Sequence, residues 1–211
     1  MPLSVAEGIA NGVDEVRACV RYQVRHGAKL ITVSASGGVM SHSTAPGAQQ
    51  YSDDEFAAIA DEAHRAGVRV AAHAVGDSAI RACIRAGIDC IEHGFLASDD
   101  TIQMMVDHGT FLVSTTYLTE AMAVDRIAPE LRRKAEDVFP RAQAMLPKAI
   151  AARAKAFEMT VHVANRSPVA ASPLLDRSFL LNDLGGFWHS ADFIVVSVPL
   201  TDETVGIVGA E

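Results

Sequence analysis

Apolar residues in the first half of the chain alternate between helical spacing and short continuous runs. Valines recur at three- and four-residue intervals over residues 13–24, which predicts a helix that ends at Gly27. The apolar run over residues 30–34 then predicts a strand. The same order of helix, glycine and strand recurs along the chain, with predicted helices over 52–66, 77–86 and 98–109 and predicted strands over 68–73, 88–92 and 110–114.

Repeated helix–strand units with continuously apolar strands are typical of a parallel sheet covered by helices. A closed barrel of such units contains eight strands, whereas this region supplies about four. The predicted fold class is therefore α/β, beginning with a partial TIM-like (β/α) barrel of about four units. At the start of the second helix, Ser52 and Glu55 have the spacing of a capping box.

The pattern changes near residue 148. The stretch 128–157 is rich in alanine and helical in spacing, with predicted interruptions at Pro140 and Pro147. Beyond it, the sequence predicts a strand over 161–164, a helix over 179–188 and a strand over 192–198. These elements indicate a partial Rossmann-like unit. We therefore predict two domains, residues 1–147 and 148–211.

Composition and charge narrow the classes of partner. The chain has 211 residues, a net charge of -8, 49% hydrophobic and 21% charged residues, which is ordinary for a globular protein. The negative charge disfavours nucleic-acid binding, which needs a basic surface. Three cysteines without a CxxC pair indicate a reducing compartment. We see no signal peptide and no apolar stretch of the ~20 residues that span a membrane, so we expect a cytoplasmic location.

Two histidines end consecutive predicted strands. His73 follows the run 68–72, and His93 follows the run 88–92. Side chains at the carboxyl ends of adjacent parallel strands converge on one site, and neutral imidazoles there are good ligands for zinc or a similar metal. Alternation of side chains along a strand predicts that Glu92 points to the face opposite His93. The alternative interpretation is that each histidine is an ordinary strand-end residue bonded to a nearby carbonyl.

An ordered set of short motifs resembles one enzyme superfamily. The motifs are Gly27-Ala28-Lys29-Leu30-Ile31, Ser36-Gly37-Gly38-Val39, Gln50-Tyr51-Ser52, Asp61-Glu62-Ala63-His64-Arg65-Ala66-Gly67, Ala72-His73-Ala74 and Ile91-Glu92-His93-Gly94. Together, over roughly residues 10–147, they resemble the metal-dependent amidohydrolases, in the branch of imidazolonepropionase-like enzymes and Xaa-Pro dipeptidases.

That resemblance implies a barrel with one or two divalent metals, most often zinc, that activate a water against an amide or related C–N bond of a small-molecule substrate. It implies that His73 and His93 are the metal ligands from the fifth and sixth strands. The family's bridging lysine on the fourth strand is matched here by Thr32, which cannot form a carbamate. The family's first-strand His-x-His and eighth-strand aspartate find no match. We therefore expect an incomplete site that is inactive alone.

The tail resembles a different enzyme. Asn165-Arg166-Ser167-Pro168 and the run 191–201 (Ala-Asp-Phe-Ile-Val-Val-Ser-Val-Pro-Leu-Thr) resemble the nucleotide-binding domain of D-isomer-specific 2-hydroxyacid dehydrogenases. The resemblance implies that Asn165 and Arg166 contact the ribose or phosphate of NAD or NADP, and that Pro199 flanks the adenine. The residues before Ala149 contain no glycine-rich phosphate loop, so we expect cofactor binding to be weak.

Three hypotheses about function remain open at this point. In the first, the chain is an inactive amidohydrolase-like protein joined to a dehydrogenase fragment, and is thus chimeric. In the second, it is a working hydrolase whose missing ligands come from another chain. In the third, the tail makes it a small NAD- or NADP-binding protein. In each case the open strand edges of a half-barrel predict self-association.

Overall fold

The chain divides into two compact units, Met1–Leu146 and Pro147–Glu211. The computed structural model describes residues 8–42, 44–116, 119, 122, 126–156, 159–165, 170–180 and 184–190.

The first unit is built on a four-stranded parallel sheet whose strands lie in chain order. Its strands are β1 Leu30–Ser34, β2 Arg69–Ala74, β3 Cys90–His93 and β4 Phe111–Val113. Its first helices are α1 Val13–Arg25, α2 Asp53–Arg65, α3 Asp77–Arg85 and α4 Asp99–His108. The predicted α/β order and the parallel sheet are confirmed, and the described strands form an open sheet rather than a closed barrel.

Helices cover one face of this sheet. Alternate strand residues such as Ile31, Val70 and Ile91 are buried together with apolar residues of α1 to α4. On the other face the strand residues at the two edges are exposed, Leu30 at 50% and Phe111 at 60%. The prediction of a helix-covered sheet therefore holds for one face of the described sheet, and the second face is open along β1 and β4.

The predicted capping box at the start of α2 is confirmed. The Ser52 hydroxyl accepts a hydrogen bond from the Glu55 N–H at 3.3 Å, and the Glu55 carboxylate accepts one from the Ser52 N–H at 2.7 Å. This reciprocal pair satisfies two donors that a helix start leaves free. It fixes the point at which the long loop after β1 turns into α2.

The longest described helix is α5, Pro129–Lys155, which has 27 residues and begins in the first unit and ends in the second. The predicted interruptions at Pro140 and Pro147 were wrong, since the helix runs through both. Apolar side chains on both sides of Pro140 are buried, Phe139 and Ala142 among them, and this packing outweighs the loss of a backbone donor at Pro140. Neither α5 nor any other described helix combines the length and the apolar character needed to cross a bilayer.

The described part of the second unit contains a two-stranded parallel sheet, β5 His162–Asn165 and β6 Arg177–Leu180, followed by α6 Leu184–Trp188. The strand predicted over 161–164 is confirmed. The helix predicted from residue 179 was wrong at its start, because Phe179 lies in β6 and packs against the rings of His162 and Phe187. Pairing with β5 decides the conformation there. The strand predicted over 192–198 lies outside the described residues.

Candidate metal centre

The structure brings His73 and His93 together at the carboxyl edge of the sheet. His73 lies near the end of β2 and His93 is the last residue of β3. Their ring centroids are 4.5 Å apart and the rings stand at 73° to one another. Two imidazoles from neighbouring strands at this separation are close enough to contact a common ion.

The backbone of His93 explains how its ring reaches His73. In the parallel register His93 pairs with Ala74, which is fully buried on the helix-covered face, so regular alternation would send the His93 ring to that face as well. His93 instead has φ 71°, the left-handed conformation, and it is the one non-glycine residue with positive φ among the described residues. Such a conformation costs of order 1–2 kcal/mol. It turns the His93 ring toward His73.

The same register corrects the prediction for Glu92. Glu92 pairs with His73, so its side chain lies on the face of the sheet where His73 lies. Its negative charge acts on the His73 imidazole and opposes the effect of burial on that pKa. The prediction that Glu92 points away from the histidine site was wrong, because it assumed regular alternation up to His93.

Both imidazoles are held in the neutral form. Burial lowers the pKa of His73, and burial together with the neighbouring His73 lowers the pKa of His93 to about 4. A neutral imidazole has a free nitrogen lone pair, which is what a metal ligand requires. The electrostatic environment of the pair therefore favours ligation at neutral pH.

The sequence analysis did not predict the hydrogen bond between the His93 ring and Thr115. His93 Nδ1 lies 2.6 Å from Oγ1 of Thr115, which follows the end of β4. The signal that could have indicated it is the hydroxyl run Ser114-Thr115-Thr116 at the carboxyl end of the next strand in the sheet. This contact occupies Nδ1 of His93, and the tautomer of the ring determines which of the two atoms donates.

The loop after β1 forms one wall of the site. The buried Ser36 hydroxyl accepts a hydrogen bond from the Val75 N–H at 2.8 Å, which joins this loop to the end of β2. A Cβ on Gly38 would lie 3.1 Å from Nε2 of His73, so glycine keeps that nitrogen accessible. Nζ of Lys134, on α5, donates to the carbonyl oxygens of Ser41 at 2.6 Å and Thr44 at 2.8 Å. The loop is therefore fixed near its start and in its middle.

Together these elements enclose a cavity of about 430 Å³. The two imidazoles and the hydroxyl groups of the loop supply the polar part of its lining. The apolar part includes Phe95 and Phe139, whose ring centroids lie 6.5 Å apart in an edge-to-face arrangement. This volume lies within the range of small-molecule binding sites.

The residues present fit a divalent metal as two of its ligands. Zinc and similar ions take neutral imidazole ligands, and a catalytic zinc site has about three protein ligands. In the part of the chain that the structure describes, no group of three or more His, Cys, Asp or Glu side chains is arranged to hold a metal. Thr32 lies on the same face as His73 and two residue pairs further from the edge, but its neutral hydroxyl is a poor ligand.

The predicted nucleotide contacts are only partly covered by the structure. Asn165 is the last residue of β5, at the strand end where the sequence placed it. Arg166 and Pro199 lie outside the described residues. The contacts proposed for these three residues therefore stay predictions.

Comparison with known protein families gives two matches. Residues 2–171 match the amidohydrolase family. Residues 146–211 match the NAD-binding domain of D-isomer-specific 2-hydroxyacid dehydrogenases. The first match covers most of the chain and includes the two histidines, and the second is short and overlaps the end of the first.

Individual relatives agree with the first match. Ochratoxinase of Aspergillus niger is 43% identical over 112 residues, which are 53% of this chain and 23% of that protein. A crystal structure of A. niger ochratoxinase has a TM-score of 0.64 at 37% identity, over 68% of this chain and 33% of that one. A crystal structure of a Xaa-Pro dipeptidase with bound methionine in its active site has a TM-score of 0.67 at 30% identity, over 72% of this chain and 39% of that one. The chain thus spans 23% of the curated relative and 33% to 39% of these structures.

Proposed function

The chain belongs to the amidohydrolase family, and on that premise we propose that it is a metal-dependent hydrolase of an amide or related C–N bond, with His73 and His93 as metal ligands. The convergence of these two imidazoles, 4.5 Å apart between ring centroids, is the observation that supports the proposal. Members of the family generally use divalent metals, and both rings are in the neutral form that binds them. Zinc is the metal we propose, because two imidazoles suit it.

Each part of the cavity has a role in this proposal. A bound divalent metal polarises a carbonyl oxygen and makes water a nucleophile at neutral pH. Nε2 of His93 and Nε2 of His73 would hold the ion. Phe95 and Phe139 bind the apolar part of the substrate and exclude water from the site.

The proposal includes a requirement for further ligands. Two histidines bind a divalent ion more weakly than the three or so ligands of a catalytic site. The resemblance to the family gives Thr32 the place of a bridging lysine, so that ligand is absent from β1. We propose that the two histidines bind metal and that hydrolysis needs ligands from outside the described residues, from this chain or a second one.

Metal binding tests the proposal directly. We expect the purified chain to bind one Zn²⁺, measured by calorimetric titration, and we expect His73→Ala and His93→Ala each to weaken binding by more than ~100-fold, since even outer-shell changes weaken metal sites by 10–100-fold. His26→Gln is the matched control, because His26 is an exposed residue outside the site.

Two outcomes would contradict the proposal. Absence of zinc binding by the unaltered chain would remove the metal site altogether. Equal affinity in the chain and in both alanine variants would place any bound zinc on other residues.

The match of residues 146–211 supports a second candidate function, binding of NAD or NADP by the tail. We propose Arg166 as the residue that contacts the ribose or its phosphate, in keeping with its place after β5. If this function is real, titration with NADP followed by tryptophan fluorescence should saturate, and Arg166→Ala should weaken binding by roughly 10-fold or more, the loss of one charged hydrogen bond. A response that stays linear to the millimolar range would eliminate this candidate.

A further inference from the structure

The His93 ring is held by one identifiable contact with a neighbouring element. Its backbone is in the left-handed conformation, which few non-glycine residues adopt. The next residue, Gly94, donates from its N–H to the carbonyl of Ala74 at 3.0 Å, which fixes the backbone to β2. The ring itself is fixed by the contact of 2.6 Å between Nδ1 and Oγ1 of Thr115.

The direction of that hydrogen bond decides which nitrogen of His93 can bind a metal. A neutral imidazole has one N–H and one free lone pair. If Nδ1–H donates to the threonine oxygen, Nε2 keeps its lone pair. If the threonine hydroxyl donates to Nδ1, the proton is on Nε2, and neither nitrogen is free for an ion in the cavity.

We propose that Thr115 is a positioning residue that accepts a hydrogen bond from Nδ1–H of His93 and thereby keeps Nε2 unprotonated and available in the cavity. The proposal rests on the proposed function, in which Nε2 binds the metal. It assigns a role to a residue that follows the fourth strand of the sheet, so that β2, β3 and the segment after β4 all contribute to the site. Imidazole ligands commonly donate their second N–H to an oxygen in this way.

The chain contains a control residue next to Thr115. Ser114 also has a hydroxyl, but its Oγ is buried and has no hydrogen-bond partner among the described residues. Ser114→Ala therefore removes a neighbouring hydroxyl without removing a hydrogen bond. A change in the His93 tautomer or in zinc affinity is assigned to Thr115 only if it exceeds the change in Ser114→Ala.

The experiment compares four proteins: the unaltered chain, Thr115→Val, which keeps the shape and removes the hydroxyl, Thr115→Ser, which restores a hydroxyl, and Ser114→Ala. The tautomer of His93 is measured without metal by long-range ¹H–¹⁵N NMR of the imidazole. We expect the Nδ1–H tautomer in the unaltered chain, Thr115→Ser and Ser114→Ala, and a shift toward the Nε2–H tautomer in Thr115→Val. A merely structural role of Thr115 would not change the tautomer.

Zinc affinity supplies the second measurement. Thr115→Val should bind Zn²⁺ about 10–100-fold more weakly, the usual effect of removing an outer partner of a metal-binding histidine, and Thr115→Ser should recover most of that loss. An Nε2–H tautomer in the unaltered chain, or the same tautomer with and without the Thr115 hydroxyl, would overturn the inference.

The two proposals fail in different ways. Should the tautomer follow the Thr115 hydroxyl while zinc does not bind, the positioning role stands and the proposed function falls. Should zinc bind through His93 with equal affinity in Thr115→Val and the unaltered chain, the proposed function stands and the role of Thr115 falls.

Discussion

Gly76→Ala should lower the free energy of unfolding of the first unit by about 3 kcal/mol, the upper part of the usual range for overpacking. A Cβ at this position would lie 2.3 Å from the carbonyl oxygen of Gly47 and 2.6 Å from its Cα. Both atoms belong to the main chain, so no side chain can rotate away to relieve the overlap. The start of α3 and the loop after β1 would have to separate.

Moving the loop after β1 away from α3 would also change the cavity, which this loop lines. The N–H of Gly47 donates to the carbonyl of Gly37 at 2.8 Å, within the loop that forms the wall beside His73. Urea unfolding followed by circular dichroism measures the loss of stability. Gly185→Ala is the control, because nothing lies within 4 Å of the added Cβ, and it should change stability by less than about 1 kcal/mol. Equal stabilities of Gly76→Ala and the unaltered chain would show that the two loops do not approach so closely in solution.

Stability should fall as the pH is lowered from neutrality, because the site holds two neutral histidines. In the unfolded chain a histidine takes up a proton near pH 6.5, whereas burial keeps His93 neutral in the folded chain down to about 4 and lowers the pKa of His73 in the same direction. The unfolded state therefore binds more protons between these values, and stability is present in full above pH 6.5 and is lost below it. For His93 the loss between pH ~7.5 and ~5 is at most about 2 kcal/mol, reduced by its partial contact with solvent.

Substitution of His93 separates its contribution to the pH dependence of stability from the contributions of the other titrating groups. Carboxyl groups such as Asp61 and Glu62 have lowered pKa values and affect stability at lower pH, below the ordinary carboxyl range. Unfolding free energies of the unaltered chain and of His93→Gln should be measured at several pH values in this window. We expect the variant to lose less stability on acidification. Parallel pH profiles for the two proteins would show that His93 is not kept neutral by the fold.

The order of elements in the first unit could be predicted because each element has a local signal. Helical spacing of valines in α1, the capping box of α2 and the glycine after each helix are patterns that lie within a few neighbouring residues. The position of His73 near a strand end could be predicted for the same reason, since it stands directly after an apolar run. Parallel pairing then follows from the repeated order of helix and strand.

Features that depend on contacts distant in the sequence could not be predicted. The left-handed backbone of His93 brings its ring to the side of the sheet where Glu92 also lies, and no pattern in the residues around it indicates this departure from alternation. The contact with Thr115 joins residues 22 positions apart. The helix through Pro140 persists because apolar residues of the loops after β1, β2 and β3 pack against it, and these residues are distant from Pro140 in the sequence. Phe179 likewise joins a strand because β5 is available to pair with it.

The two hydrogen bonds from Lys134 to the loop after β1 affect which cavity-lining residues can differ among relatives. The lysine contacts the carbonyl oxygens of residues 41 and 44, which every amino acid possesses, and not their side chains. Ser41 and Thr44 line the cavity, so their side chains can change identity while the main chain stays attached to α5. The rim of the cavity is thus free to vary in chemistry over evolutionary time with little change of shape, provided that the lysine is kept.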